Sequence, residues 1–350
     1  MSKPQEPHRP FFPFGNPFRM IRSKGSNLSP TLLALVNTFE VTLSARLRKL
    51  ETVGDILSLT WMQYAMESLC ETHTDIKNLI EELELPVSDW DEKWIDVYLD
   101  ISIKLLDISN AFSSELSRMN QGHLLIQCAL HNLESNSQQQ HVHACSFLNN
   151  WRQQRRSKNP RLEKCCSFLD GLMETLNLPK IKYSAKGKVL MRALYGIKVQ
   201  TLFICSAFVV LFSGSSKKLF ELDIPNTYQW AEDFNHLRGI VNGMIRRNQQ
   251  SSQNNSLMKE LLDIDTAVEK LCPLMLDGSM SRKEYPLQIS VRQLKTDAEK
   301  FSSGLNLLMK EVDRFFHVVL TGRDALLSNL RAMCTATDSA ERKTLGQLVL

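Results

Sequence analysis

SPTLLALVNTFEVTLSARLRKL, residues 29–50, reads from end to end as one amphipathic helix. Ser29 offers a side-chain oxygen to the first unpaired N–H groups, and Pro30 falls in the first turn, where its missing donor costs nothing. Leu32, Leu35, Phe39, Leu43, Leu47 and Leu50 follow at steps of three and four, which puts them on one face. A helix with a single apolar stripe is marginal in water and needs neighbours that bury the stripe.

The rest of the chain supplies those neighbours. A second helical pattern runs from Asp55 to Leu85 and stops at Pro86, with Ile56, Leu59, Leu69, Ile76, Leu79 and Leu83 on its face. Ser88 can cap a third, where Asp89, Asp91 and Glu92 favour the positive end of the helix. That helix carries Trp90, Trp94, Val97, Ile101, Leu105, Ile108, Phe112 and Leu116 and continues toward Leu133. After the polar break SNSQQQ, residues 135–140, the pattern resumes near Val142, pauses near Pro160 and stops before Pro179. Further helices are expected over 185–212, from Pro225 to Arg247, over 257–276, and from about Leu287 to Met333. A second polar break, NQQSSQNNS, covers 248–256.

No stretch sustains a period of two, no Asn-Gly turn joins apolar runs, and no short repeat recurs at a fixed period. Glycine is scarce, at 14 of 350 residues, about half the usual share. The expected fold is therefore all-α: a bundle of long antiparallel helices. It spans 29–334, with an extended Pro/Phe-rich, disordered arm at 1–28 and a weakly ordered tail at 335–350.

The arm, MSKPQEPHRPFFPFGNPFRMIRSKG, cannot be a core helix or strand. Pro4, Pro7, Pro10, Pro13 and Pro17 each lack a backbone donor and fix φ. Disordered tails are normally poor in aromatics, yet Phe11, Phe12, Phe14 and Phe18 crowd this one. Asn16-Pro17-Phe18 is its best short motif, because an Asn-Pro turn can present the following phenylalanine outward. The expected binding residues of the arm are Phe11, Phe12, Phe14, Asn16, Pro17 and Phe18, docked either on a protein partner or in a groove of the bundle.

RPFFPFGNPFRMI (9–21), together with LYGIKVQTLFICSAFVVLFSGSSKKLFELDIP (194–225), resembles the plant BYPASS family, grouped with ROH-type proteins. The resemblance covers most of the chain. It implies a regulator of plant growth and root-to-shoot signalling with no enzymatic activity. Relatives tied to the exocyst make vesicle traffic a second implication, and NPF tripeptides resemble the ligands of EH domains in endocytic traffic.

Charge is spread unevenly. Residues 67–115 hold about thirteen acidic against three basic side chains, and 151–198 about twelve basic against three acidic. The first reading is that the two regions pack on each other with complementary faces. The second is a basic surface for anionic lipid, built from Arg155, Arg156, Lys158, Lys180, Lys182, Lys186 and Lys188. A net charge of +4 with no aromatic platform or DNA-reading motif argues against nucleic acid.

LFICSAFVVLF, residues 202–212, is the most apolar run. Leu202, Phe203, Ile204, Phe208, Val209, Val210, Leu211 and Phe212 would line a membrane segment. With Thr201 and Ser213 the run covers about 13 residues, short of the ~17–20 a spanning helix needs, so a buried central helix is the preferred reading. A short tilted span, with Lys198 and Lys217-Lys218 snorkelling, is the alternative.

His141, His143 and Cys145 do not share a helical face, and no CxxC or HxxxH partners them, so no metal is expected. Cys165-Cys166 is a candidate for S-acylation beside the basic segment. No nucleotide-binding, metalloprotease or nucleophile-elbow signature occurs, so neither catalysis nor a cofactor is expected. The eight cysteines lack paired spacing and no secretory signal is evident, which reads as a reducing, cytoplasmic setting with membrane association as an option. The acid-poor start with Arg and Ser loosely resembles a plastid address, which ranks lower because the prolines spoil an amphipathic helix.

Overall fold

The computed structural model describes residues 28–84, 92–134, 137–178, 184–214, 221–251, 257–276 and 280–347. Among them the regular elements are all helices: α1 Pro30–Thr52, α2 Leu59–Glu82, α3 Glu92–Leu133, α4 Gln138–Arg156, α5 Pro160–Glu174, α6 Ala185–Ser213, α7 Ala231–Ser251, α8 Lys259–Leu276 and α9 Met280–Gln347. The all-α expectation holds. Ser29 caps α1 through Leu32 N–H at 3.3 Å, as its position predicts.

Boundaries move where local chemistry outweighs the apolar pattern. α2 starts at Leu59 rather than Asp55 because residues 55–58 form a turn, with Leu57 at φ 77° and Ser58 capping Trp61 N–H at 3.2 Å. α7 starts at Ala231 rather than Pro225. The residues between turn twice, through Tyr228 N–H to the Pro225 carbonyl and Ala231 N–H to the Tyr228 carbonyl. α4 takes in the glutamine run instead of beginning at Val142, since glutamine is a good helix former. α9 extends past both expected ends and carries Pro286 inside it.

α6 occupies the centre. α1, α2, α3 and α5 pack directly around it, and α9 lies against α2, α3 and α8. α1 and α2 run antiparallel: Trp61 Nε1 donates to the Leu50 carbonyl at 3.1 Å near the connecting turn, and Arg46 reaches Glu71 and Asp75 further along, at 2.9 and 2.5 Å. α3 and α9 are antiparallel too, with Arg323 donating to the Leu99 carbonyl at one end and Glu134 facing Lys295 at the other. Helices distant in sequence also form parallel pairs. Glu40 of α1 bonds Arg192 and Leu43 touches Gly196, so α1 runs parallel to α6.

Four tryptophans, Trp61, Trp94, Trp151 and Trp230, are fully buried between the layers. Two of the glycines show how closely the helices approach. A Cβ on Gly122 would fall 2.6 Å from the Trp151 ring of α4, and one on Gly196 would press on Leu43 of α1 at 3.0 Å.

Candidate functional site

The N-terminal arm, including Phe11, Phe12, Phe14, Asn16, Pro17 and Phe18, lies outside the described residues. Lys180, Lys182, Lys217 and Lys218 lie outside them as well. The candidates inside can be placed.

Among the described residues, the cations expected to form one basic surface fall into two groups. Arg155 stands near the end of α4, mostly buried, 3.7 Å from Asp265 of α8 and over the Trp151 ring. Trp151 Nε1 donates to the same aspartate at 3.0 Å. Burial lowers the Arg155 pKa and raises that of Asp265. Arg155 therefore belongs to an interior junction of α3, α4 and α8, which corrects its reading as a lipid-facing cation. Arg156 and Lys158 are exposed, and Lys158 faces Glu163 at 3.8 Å. Lys186 pairs with Glu84 at 3.4 Å, and Lys188 is half-buried.

These two groups also lie far apart. Thr175 of α5 meets Lys198, whereas Asn159 at the start of α5 meets Glu115 of α3. α5 therefore runs against α6, and the 155–158 group lies level with the C-terminal end of α6. Lys186 and Lys188 are in its first turn. At 1.5 Å per residue the separation is roughly 35 Å.

The complementary-faces reading is met in part. α3 does pack on α4, α5 and α6. Lys186–Glu84 and Asn159–Glu115 join the two regions, but Arg155 and Arg192 find carboxylates elsewhere, in α8 and α1.

Leu202, Phe203, Ile204, Phe208, Val209, Val210, Leu211 and Phe212 are all buried in α6. The helix is long and apolar enough to cross a membrane, and 94% of its most apolar window is enclosed by the bundle. Phe112 of α3 contacts Phe208 and Phe212, and Phe203 meets Phe234 of α7. Two polar side chains of α6 find partners on the same neighbours: Gln200 donates to Ser68 at 2.8 Å, and Lys198 donates to the carbonyl and hydroxyl of Thr175.

Lys198 is the least expected of these. It is almost wholly enclosed, and its ammonium caps the C-terminal end of α5, where free carbonyls gather. Burial, with Lys104 nearby, lowers its pKa to about 8.

Cys165 is fully buried, so its thiol is inaccessible to acylation while the bundle is closed; Cys166 is half-buried. His141 is buried, His143 exposed, and Cys145 lies 4.0 Å from the Met275 sulfur. They do not converge. Among the described residues no group of three or more His, Cys, Asp and Glu could hold a metal ion.

The feature that sequence reading missed is an open groove of about 430 Å³ between α3 and α9. His123, Gln127, Leu130, His131 and Glu134 line one wall, and Lys295, Ala298, Glu299, Ser302 and Ser303 the other. His123 rests on Phe301, and neither ring nitrogen has a hydrogen-bond partner. The only sequence signal was a histidine at a core position of an amphipathic helix, and periodicity does not tell which helix it will face.

Comparison with known proteins follows the same extent of chain. The model of the family described as Protein BPS1 matches residues 65–328. "Protein BPS1, chloroplastic" of Arabidopsis thaliana is 52% identical over 339 residues, which is 96% of this chain and 95% of that protein. "UPF0496 protein 4" of Oryza sativa subsp. japonica is 47% identical over 311 residues, covering 87% of this chain and 68% of the rice protein; its counterpart in subsp. indica is 46% identical over the same shares. No solved structure matches the chain.

Proposed function

Given that the chain belongs to the BPS1 family, we propose that it is a non-enzymatic regulator of plant growth and development that works through protein contacts on a helical scaffold. The observation that carries this reading is identity of 52% across almost the whole of a plant relative. The family resemblance adds root-to-shoot signalling as the process. Burial of α6 supports a scaffold whose contacts are made by helix surfaces and by the arm, because its most apolar helix is already enclosed.

In this reading the bundle is the rigid platform and FFPFGNPF, residues 11–18, is the docking peptide. Plants lacking the chain should show a growth defect that the full chain repairs. Grafting a wild-type shoot on a deficient root should transmit the defect upward. Normal growth in deficient plants would remove the regulatory reading, and a defect confined to the grafted root would remove the root-to-shoot part.

A plastid address is a second reading of location, favoured by one specific observation: the Arabidopsis relative is named chloroplastic. The acid-poor start of the chain fits it. A fluorescent fusion at the C-terminus decides between plastid and cytoplasm. If the plastid is correct, N-terminal sequencing of the mature protein should show the arm removed, and the arm would then be an address instead of a docking peptide.

A further inference from the structure

α4 and α8 run antiparallel: Trp151 Nε1 donates to Asp265 at 3.0 Å, and further along the seam Cys145 Sγ lies 4.0 Å from Met275 Sδ. Cys272 and Met275 stand three positions apart on α8 and so share one face of it. The Cys145 and Cys272 thiols are near enough for the charge of one to act on the other, and the Arg152 guanidinium acts on both. Three sulfurs from two helices therefore meet at one place in the seam. All three residues are half-buried, which shelters the cluster and leaves it open to a small ion.

The spacing suits a shared ion. A metal–sulfur bond is usually ~2.3 Å, so two sulfurs about 120° apart around one ion are separated by about 4.0 Å. The Cys145–Met275 separation has that value. Ligand type then selects the ion. Two thiolates and a thioether are soft donors, which suit Cu(I). Zinc closes a tetrahedron of four ligands drawn from thiolate, imidazole and carboxylate. Among the described residues no His, Asp or Glu joins the two thiols as a further ligand, and His141, one turn before Cys145, is no exception. Charge is matched as well. Cu(I) on two thiolates leaves one net negative charge, and the Arg152 guanidinium stands beside it.

We propose that Cys145, Cys272 and Met275 form a three-sulfur site for Cu(I) that ties α4 to α8. No electron moves in this step: the ion enters as Cu(I), two S–H bonds give way to two Cu–S bonds, and two protons leave to solvent. The Met275 thioether donates a lone pair. Burial raises both thiol pKa values, Cys272 adds to the rise at Cys145, and Arg152 opposes it, so the two protons are present at neutral pH and are released on binding.

The test is titration of the reduced full chain with Cu(I) under argon, in competition with bicinchoninate, followed by X-ray absorption at the copper edge. The expected result is one retained ion per chain with a shell of three sulfurs at ~2.3 Å. Cys145 and Cys272 should become protected from iodoacetamide, as located by mass spectrometry. The loaded chain should melt at a higher temperature, because the ion binds the folded state alone. Cys145→Ser and Cys272→Ser should each abolish retention of the ion. Cys128→Ser, at an exposed thiol of α3, should bind as the parent does. Met275→Leu conserves volume and should reduce the shell from three sulfurs to two. If a serine variant does not fold, Met275→Leu and the alkylation pattern of the parent chain decide the matter.

Three outcomes would overturn the proposal. One is unchanged Cu(I) retention in the double serine variant, which would put the ion on other cysteines. Another is displacement of Cu(I) by equimolar Zn(II) with nitrogen or oxygen entering the shell. The third is a Cys145–Cys272 disulfide formed in air by a chain that takes up no Cu(I) once reduced, which would make the two thiols a redox pair.

Discussion

At the scale of single residues, two buried bases make stability depend on pH in opposite ranges. Lys198 titrates at about 8 in the folded chain against an ordinary 10.5. The unfolded chain therefore holds more protons between those values, and folding should gain stability as pH rises from about 8 to about 10.5. Below pH 8 the full penalty of the buried ammonium is present. Lys198→Met should flatten this rise, read as the urea midpoint against pH. An unchanged slope would show that the ammonium is solvated. His73 is enclosed beside Phe315, its Nε2 unpartnered, and burial lowers its pKa to about 3. Its stability contribution should fall as pH drops from 6.5 toward 3, by up to ~1.4 kcal/mol per pH unit. His73→Leu should remove that acid sensitivity. Packing is tested at Gly122, where an alanine methyl must displace the Trp151 ring or Gln154. Gly122→Ala should destabilise by about 1–3 kcal/mol, seen as a lower melting temperature.

Between elements, neighbouring cations of one helix are expected to behave differently. Arg155 joins α4 to α8 through Asp265, and its loss would leave that carboxylate and the Trp151 indole in a junction built for a guanidinium. Arg155→Ala should cost about 3 kcal/mol, the range for breaking a buried pair from one side. Arg156→Ala, one position on and exposed, should stay within about 0.5 kcal/mol. Denaturant melts of the two variants make the comparison, and equal effects would contradict the interior placement of Arg155. α6 offers the matching test for an element. Carbonate washing of a membrane fraction should release the chain if α6 stays inside the bundle. Resistance to carbonate would mean that α6 leaves its neighbours for lipid, exposing the α1, α2, α3 and α5 faces that now cover it.

For the whole molecule, the scaffold reading separates platform from arm. Phe14→Ala with Phe18→Ala should remove binding of the full chain to an isolated EH domain, measured by calorimetry, and leave helicity by circular dichroism unchanged. Loss of helicity would instead place the arm in the core. α9 sets the long dimension of the platform: its 68 residues correspond to about 100 Å of helix. It packs along α2, α3 and α8 and so ties together helices that are distant in sequence.

Much of this architecture was legible from local chemistry. Ser29-Pro30 marked the start of α1, and Leu43, Leu47 and Leu50 marked its buried face. Ala185 to Phe212 gave α6 to within one residue. These signals are carried by neighbours three or four positions apart, which a sequence contains in full. Turns were harder. The Asp55–Ser58 turn resembles helix in its apolar spacing, and a positive φ at Leu57 is set by the packing around it and not by its residue type. What the sequence by itself determined is the helical class, the stripes and the central place of the most apolar helix, because burial of that much apolar surface has few solutions. Which helices meet was decided only by tertiary structure. It split the basic segment between the two ends of α6, drew Arg155 inward to Asp265, and opened the groove over His123 between helices far apart in the chain. Charge counted along a chain says nothing of the direction in which each side chain points once its helix has a neighbour.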